Sequence, residues 1–280
     1  MLGWFDTHTP GDYAALAVQW INHTLGPLLA ALSGMIGALI AGLEQGLLWP
    51  WNAALAAGLA ALAWWIAGWR MGLFSVLAAL FLFWCGLWES TMQTVALVAV
   101  ATAAALFVAI PLGIGAARRD WAESSIRPLL DFMQTMPPFV YLIPAVAFFG
   151  LGTVPGAVAT VIFASPPAVR LTNLGIRQVP AEVVEAANAF GATPGQLLFK
   201  VQFPIALPTI LAGVNQTIML ALSMVVIAGM IGAPGLGADV YRSITRLDVA
   251  LGFNAGIGVV IVAIYLDRLT QALGRRAAAA

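Results

Sequence analysis

Residues 184–204 read VEAANAFGATPGQLLFKVQFP, and the fold turns on what this stretch is for. With Glu182 just ahead of it, the segment carries two carboxylates, Glu182 and Glu185, and the chain's one lysine, Lys200. Pro180 suits the first turn of a helix, where its missing N–H is not needed. AEVVEAANAF continues that helix with good helix formers, and Gly191 supplies the left-handed residue on which helices end. Thr193-Pro194-Gly195-Gln196 has the form of a capping box with proline at the first helical position. A second helix is therefore expected through QLLFKVQF, until Pro204 stops it. On the first helix Val183, Ala187 and Phe190 share a face, with Ala186 alongside. Glu182 and Glu185 are placed to meet a partner's cations or Arg177. The expectation is a short, rigid, low-profile knob that looks soluble.

Its surroundings do not. Of the 280 residues, 61% are hydrophobic and 9% charged, with a mean hydropathy of +0.95, whereas soluble domains carry about 25% charged residues. Several apolar runs approach or exceed the roughly 20 residues that cross a bilayer core. The fold class expected is an all-α integral membrane protein with spans at about 52–69, 71–88, 92–116, 129–150, 154–173, 207–232 and 253–272, seven in all. Residues 27–51, interrupted by Ser33, Glu44 and Gln45, are expected to form an amphipathic helix on the membrane surface, with a spanning helix as the second reading. The domains are then 1–51, an extracytoplasmic tail with that helix; 52–88, a peripheral hairpin turning at Arg70; and 89–280, a core bearing the knob at about 180–203. Trp49, Trp51, Trp64, Trp65, Trp69, Trp84 and Trp88 cluster near the hairpin's ends, where indoles favour the headgroup boundary.

Positive charge orients the chain. With the N-terminus outside, Arg70, Arg118, Arg119, Arg127, Arg170, Arg177, Lys200, Arg275 and Arg276 fall on the cytoplasmic side, Arg268 lies at the inner end of the last helix, and only Arg242 and Arg246 fall outside. The knob is then cytoplasmic. Two expected spans contain Pro-Pro pairs, in 133-MQTMPPFVYLIP-144 and 163-FASPPAVRLT-172. Proline removes a backbone hydrogen bond, and broken helices in lipid face protein or a water-filled path. Gln134, Pro137, Pro138, Phe139, Tyr141, Pro166, Pro167, Asn215 and Ser223 are therefore candidates to line such a path. Interhelical hydrogen bonding is the competing reading of the polar ones.

The knob resembles the EAA loop of ABC-importer permeases, whose pattern is Glu-Ala-Ala, three residues, glycine, nine residues, then Ile-x-Leu-Pro. Glu185, Ala186, Ala187 and Gly191 match, and Val201-Gln202-Phe203-Pro204 closes the pattern with Val for Ile and Phe for Leu. The segments 127-RPLLDFMQTMPPFVYLIP-144, 171-LTNLGIRQVPAEVVEAA-187, 207-LPTILAGVNQTIMLALSMVVIAGMIG-232 and 266-LDRLTQALGR-275 resemble the permease subunit of glycine betaine/proline betaine (ProU-type, quaternary-amine) importers. That resemblance is strong over about 90–276 and looser before it. It implies a type I ABC importer permease fold, a permease homodimer, two copies of a cytoplasmic ATPase and an extracytoplasmic solute-binding protein. It also implies that the knob is the coupling helix, with Glu182, Glu185, Ala186, Ala187, Phe190, Gly191 and Ala192 meeting the ATPase. The cargo implied is a compatible solute: glycine betaine, proline betaine, choline, carnitine or trimethylamine N-oxide. The setting implied is the bacterial inner membrane.

No G-x-x-x-x-G-K-[ST] loop is present, so ATP and Mg belong to the partner ATPase and no cofactor is expected in this chain. The glycines of 232-GAPGLG-237 read as a turn. His8 and His23 have no ligand partner at useful spacing. Cys85, the single cysteine, reads as a small apolar residue. Zero net charge gives no basic face for nucleic acid. Asp267 with Arg268 reads as an interfacial ion pair and Arg170 as an inner anchor. Phe132, Phe139, Tyr141, Phe148 and Phe163 are the aromatic faces on which a quaternary cation could rest. The rival class is a stand-alone secondary transporter of small zwitterions, which would need membrane-buried acids.

Overall fold

Apolar runs separated by glycine and proline produce helices. In a computed structural model describing residues 9–48 and 51–279, no strand occurs among the described residues. Trp49 and His8 lie outside them. The helices are α1 Pro10–Leu48, α2 Asn52–Ala67, α3 Trp69–Trp84, α4 Trp88–Arg118, α5 Asp120–Thr135, α6 Pro138–Phe149, α7 Thr153–Arg177, α8 Ala181–Ala189, a short α9 Pro194–Gln196, α10 Phe203–Met230, α11 Leu236–Arg246 and α12 Val249–Ala279. A π-helical turn, Leu197–Gln202, joins α9 to α10.

The core is built on α7, which packs between α4 and α10. Small residues let the backbones approach. A Cβ on Gly113 of α4 would lie 2.6 Å from the Cβ of Thr172 on α7, and one on Gly213 of α10 would lie 3.0 Å from the Cβ of Leu171. Both distances are too short for ordinary contact, so glycine is required by proximity, as in small-residue helix packing within membranes. Around these contacts α7 buries Ala157, Ala159, Ala164, Ala168 and Val169.

Among the described residues, five helices are long and apolar enough to cross a membrane, or six if α5 and α6 count as one bent span, where the sequence suggested seven. Three differences account for this. First, α2 and α3 have 16 residues each, about 24 Å at 1.5 Å per residue and short of a ~30 Å hydrocarbon core. They turn at Gly68, φ 91°, and not at Arg70. Second, the expected span 129–150 is two helices bent by 99°. Met136 and Pro137 each precede a proline and are driven to extended backbone, ψ 135° and 137°. Third, the expected surface helix 27–51 belongs to a helix that begins at Pro10, carries exposed Leu16, Trp20, Leu28, Met35 and Leu39 along its length, and is itself a candidate span. Ser33 and Glu44 are too sparse to give it a polar face.

Two further proline expectations are corrected. Pro166 and Pro167 do not break α7, which is continuous and buries both between its neighbours; flanking helices offset the lost bonds. Nor does Pro204 stop the second helix of the knob. In the π-helical turn the Phe203 N–H donates to Leu198 O, five residues back, and this slip of one residue absorbs the proline's missing donor. The helical run therefore continues from Pro194 to Met230.

Candidate functional site: an exposed helical knob

The knob has the local structure its residues dictate. After α8 the chain closes in a Schellman motif: Ala192 N–H donates to Ala187 O at 3.1 Å and Gly191 N–H to Asn188 O at 2.9 Å. Gly191 sits at φ 78°, and a Cβ there would meet nothing within 4 Å. The requirement for glycine at this position is thus one of backbone alone. Two residues on, the capping box is complete, with Thr193 N–H donating to Gln196 Oε1 at 2.9 Å and Gln196 N–H to Thr193 Oγ1 at 3.4 Å.

These turns fix what the knob displays. Glu182, Glu185, Ala186, Phe190 and Gly191 are exposed; Ala187 and Ala192 are half-buried. Phe190 is 93% exposed and Phe199, on the π-helical turn, 63%. Phe190 and Phe199 together give the knob an exposed apolar surface. Sequence reading missed Phe199; the signal was its place beside Lys200, one residue after Leu198, which is buried.

The knob is rooted rather than loose. Leu198, Ile176, Ala206 and Ile210 form a small core beneath it, with Ile114, Ala117 and Phe203 packed against them. Beside this core Arg177 donates to Asp120 Oδ1 at 2.8 Å and to Ala116 O and Asn173 Oδ1 at 3.0 Å, and pairs with Glu123 Oε2 at 3.0 Å. Asn173 Nδ2 in turn donates to Glu123 Oε1 at 3.1 Å. Arg177 therefore serves the junction of α4, α5 and α7, not Glu182 or Glu185 as the sequence suggested. Arg170 is held in the same way by Asp131 at 2.6 Å. Asp131 and Gln134 thus belong to an exposed amphipathic helix, α5, which Arg170 and Arg177 strap to α7.

The candidate path residues do not converge. Gln134, Pro137, Phe139 and Ser223 are exposed and Pro138 is half-buried. Tyr141, Pro166 and Pro167 are buried inside the helix packing, with Tyr141 OH donating to Met133 O. Asn215 Nδ2 donates to Asp267 Oδ1 at 2.7 Å, joining α10 to α12. Asp267 Oδ1 also accepts from Gln271, while Arg268 stands 4.0 Å from its other oxygen. Asn215 therefore makes an interhelical hydrogen bond, and Asp267 is a partner of α10.

Comparisons with known proteins bear on the family and the fold. The family described as "Binding-protein-dependent transport system inner membrane component" matches residues 109–279. The chain is 50% identical to the glycine betaine transport system permease protein OpuAB of Bacillus subtilis (strain 168) over 91% of this chain and 90% of that one. It is 58% identical to the glycine betaine/carnitine transport permease protein GbuB of Listeria monocytogenes, covering 75% and 74%. Against the glycine betaine/proline betaine transport system permease protein ProW of Escherichia coli (strain K12) it is 49% identical, covering 92% and 73%. In fold it is similar to an inward-facing MetNI methionine ABC transporter chain, with a TM-score of 0.61 at 20% identity over 66% of this chain and 92% of that one. The chain belongs to the binding-protein-dependent transport system inner membrane component family, and it is a multi-pass permease subunit of the ABC-transporter class.

Proposed function

We propose that this permease imports glycine betaine or a closely related quaternary amine, and that the knob is where a cytoplasmic ATPase drives it. The observation that carries this reading is the knob itself. Glu185, Ala186, Ala187 and Gly191 fall on a rigid, Schellman-closed element that holds Phe190 in solvent. The cargo is argued from the three relatives above, whose names all include glycine betaine.

In this reading two copies of the chain pair with two ATPases and a solute-binding protein, with the N-terminus outside and the knob inside. ATP and Mg are bound by the ATPase, and this chain does no chemistry. An exposed stripe on α10, formed by Ala212, Gln216, Met219, Ser223 and Met230 at helical spacing, supports the second copy. ATP binding draws the ATPases together and carries Glu182, Glu185 and Phe190 with them, switching the paired cores between inward-open and outward-open. Selection falls to the binding protein. Gln134, Pro137, Phe139 and Ser223 remain the exposed residues from which a weak transit surface is built.

The test is uptake of labelled glycine betaine in a host without betaine transporters, expressing the permease with its partner subunits. ATP-dependent uptake competed mainly by betaines is expected. Transport of choline or trimethylamine N-oxide alone would move the cargo. Transport by this chain alone on an ion gradient would replace the reading with a secondary transporter.

A further inference from the structure

Between α10 and α12 runs an open groove of about 460 Å³, walled by Pro208, Leu211, Asn215, Gln216, Thr270 and Gln271 among others. That volume falls within the roughly 300–1,000 Å³ of ordinary ligand pockets. We infer that the groove is a waypoint for the cargo and binds a small zwitterion with its quaternary ammonium toward Asp267. The inference rests on the cargo reading given above and adds to it a site on this chain.

Three observations lead there. The first is polarity at depth. Asn215 stands about 22 Å along α10 from Met230 at 1.5 Å per residue, within the span of a ~30 Å hydrocarbon core. Amides turned to lipid at that depth are costly, so the groove opens on water or on protein. Gln216 belongs both to the groove and to the α10 stripe that meets the second copy in that reading, which puts the mouth on the seam between copies. The second is charge. Asn215 Nδ2 and Gln271 Nε2, both on the wall, donate to Asp267 Oδ1 at 2.7 Å. The Asp267 side chain is 22% exposed, and the one cation within 4.0 Å of it among the described residues is Arg268, itself 61% exposed. So loose a pair offsets little, and a negative potential remains behind the wall. Asn215 Oδ1, buried without a partner among the described residues, adds an uncancelled carbonyl dipole. The third is which groups are left. Asp267 Oδ1 already accepts two hydrogen bonds, and Thr270 Oγ1 donates to Leu266 O. A quaternary ammonium has no N–H to donate and needs only the field. The exposed Gln216 amide is left to donate to the carboxylate of the same molecule.

The test uses the full permease, purified with its partner subunits in nanodiscs and carrying Cys85→Ala and Thr270→Cys. The probe is a methanethiosulfonate bearing trimethylammonium, set against one of similar size bearing sulfonate. The cationic reagent should modify the Thr270→Cys protein roughly tenfold faster than the anionic one. Adding Asp267→Asn, which removes the charge and keeps the side chain's size, should erase that preference. Millimolar glycine betaine should slow the cationic reagent, and sucrose of equal osmolarity should not. No reaction with either reagent would mean that lipid or protein fills the groove, and would overturn the inference. So would equal rates for the two reagents, or no slowing by betaine, whether or not the Asp267→Asn protein folds. Labelling is read without transport, so the two readings fail separately. Betaine uptake without protection would overturn the site alone, whereas absence of both would overturn the cargo reading as well.

Discussion

A Cβ added to Gly113 would stand 2.6 Å from the Cβ of Thr172, with Val169 O at 2.8 Å. The pair sits where α4 meets α7, and neither backbone has room to retreat without disturbing α10. Gly113→Ala should destabilise the protein by about 1–3 kcal/mol, the usual cost of overpacking. Gly115, two residues on, has nothing within 4 Å of its would-be Cβ. Gly115→Ala should be neutral or stabilising by up to about 1 kcal/mol, from helix propensity alone. Thermal unfolding of the two purified variants separates them; equal behaviour would contradict the packing described.

The two carboxylates on Arg177 should not be equivalent. The Asp120 side chain is 92% exposed, whereas Glu123 is 35% exposed and also accepts from Asn173. Glu123→Ala is expected to cost about 1 kcal/mol and Asp120→Ala less than half of that, since exposed pairs contribute little. The cost of Asp120→Ala should vanish in high salt. A larger loss for Asp120→Ala would reverse the order argued here.

At Gly191 the restriction is φ 78° with open space around it. A β-branched residue meets the left-handed penalty of about 1–2 kcal/mol in full, while asparagine largely avoids it. Gly191→Val should insert normally but lose most uptake, and Gly191→Asn should keep most of it. Equal uptake by the two variants would show that the turn is not what uptake needs.

Phe190→Ala and Phe199→Ala test the exposed face directly. Both side chains are open to solvent, so unfolding temperatures should change by the equivalent of less than about 0.5 kcal/mol. Recovery of the ATPase on affinity purification, and ATP-driven uptake, should fall sharply. Full recovery of the ATPase with both phenylalanines removed would place the docking surface elsewhere.

For Asn215 and Asp267 a double-mutant cycle is informative. Asn215→Leu alone leaves Asp267 without its partner on α10, and membrane hydrogen bonds of this kind average about 0.6 and reach about 1.7 kcal/mol. The double variant Asn215→Leu/Asp267→Leu should lose less stability than the two single losses summed. Strict additivity would mean that the 2.7 Å contact contributes nothing.

The parts legible in the sequence were those decided locally. Gly191 and the Thr193–Gln196 box follow from which residues tolerate which backbone, and the structure has both turns where the residues put them. The all-helical membrane class follows from hydropathy in the same way. Proline was less legible, because its effect depends on neighbours. Pro137 and Pro138 break a helix at an exposed site, whereas Pro166 and Pro167 lie inside one that α4 and α10 enclose. Pro204 is accommodated by a π-helical turn that no pattern of residue types announces. Long-range pairing was least legible. Arg177 is nearer in sequence to Glu182 and Glu185 than to Asp120 and Glu123, yet it pairs with the latter, because α4 and α7 end side by side.

The uninterrupted run from Pro194 to Met230 has a mechanical meaning. At 1.5 Å per residue its 37 residues extend about 55 Å, from the knob to the far end of the core. There, a Cβ on Gly237 of α11 would overlap Val225 O at 2.1 Å. In the function proposed above, this one run is the covalent link between the knob and the α10–α11 contact at Val225 and Gly237. The one departure from α-helical geometry along it is the Leu197–Gln202 turn, which sits between the knob and the buried length of α10.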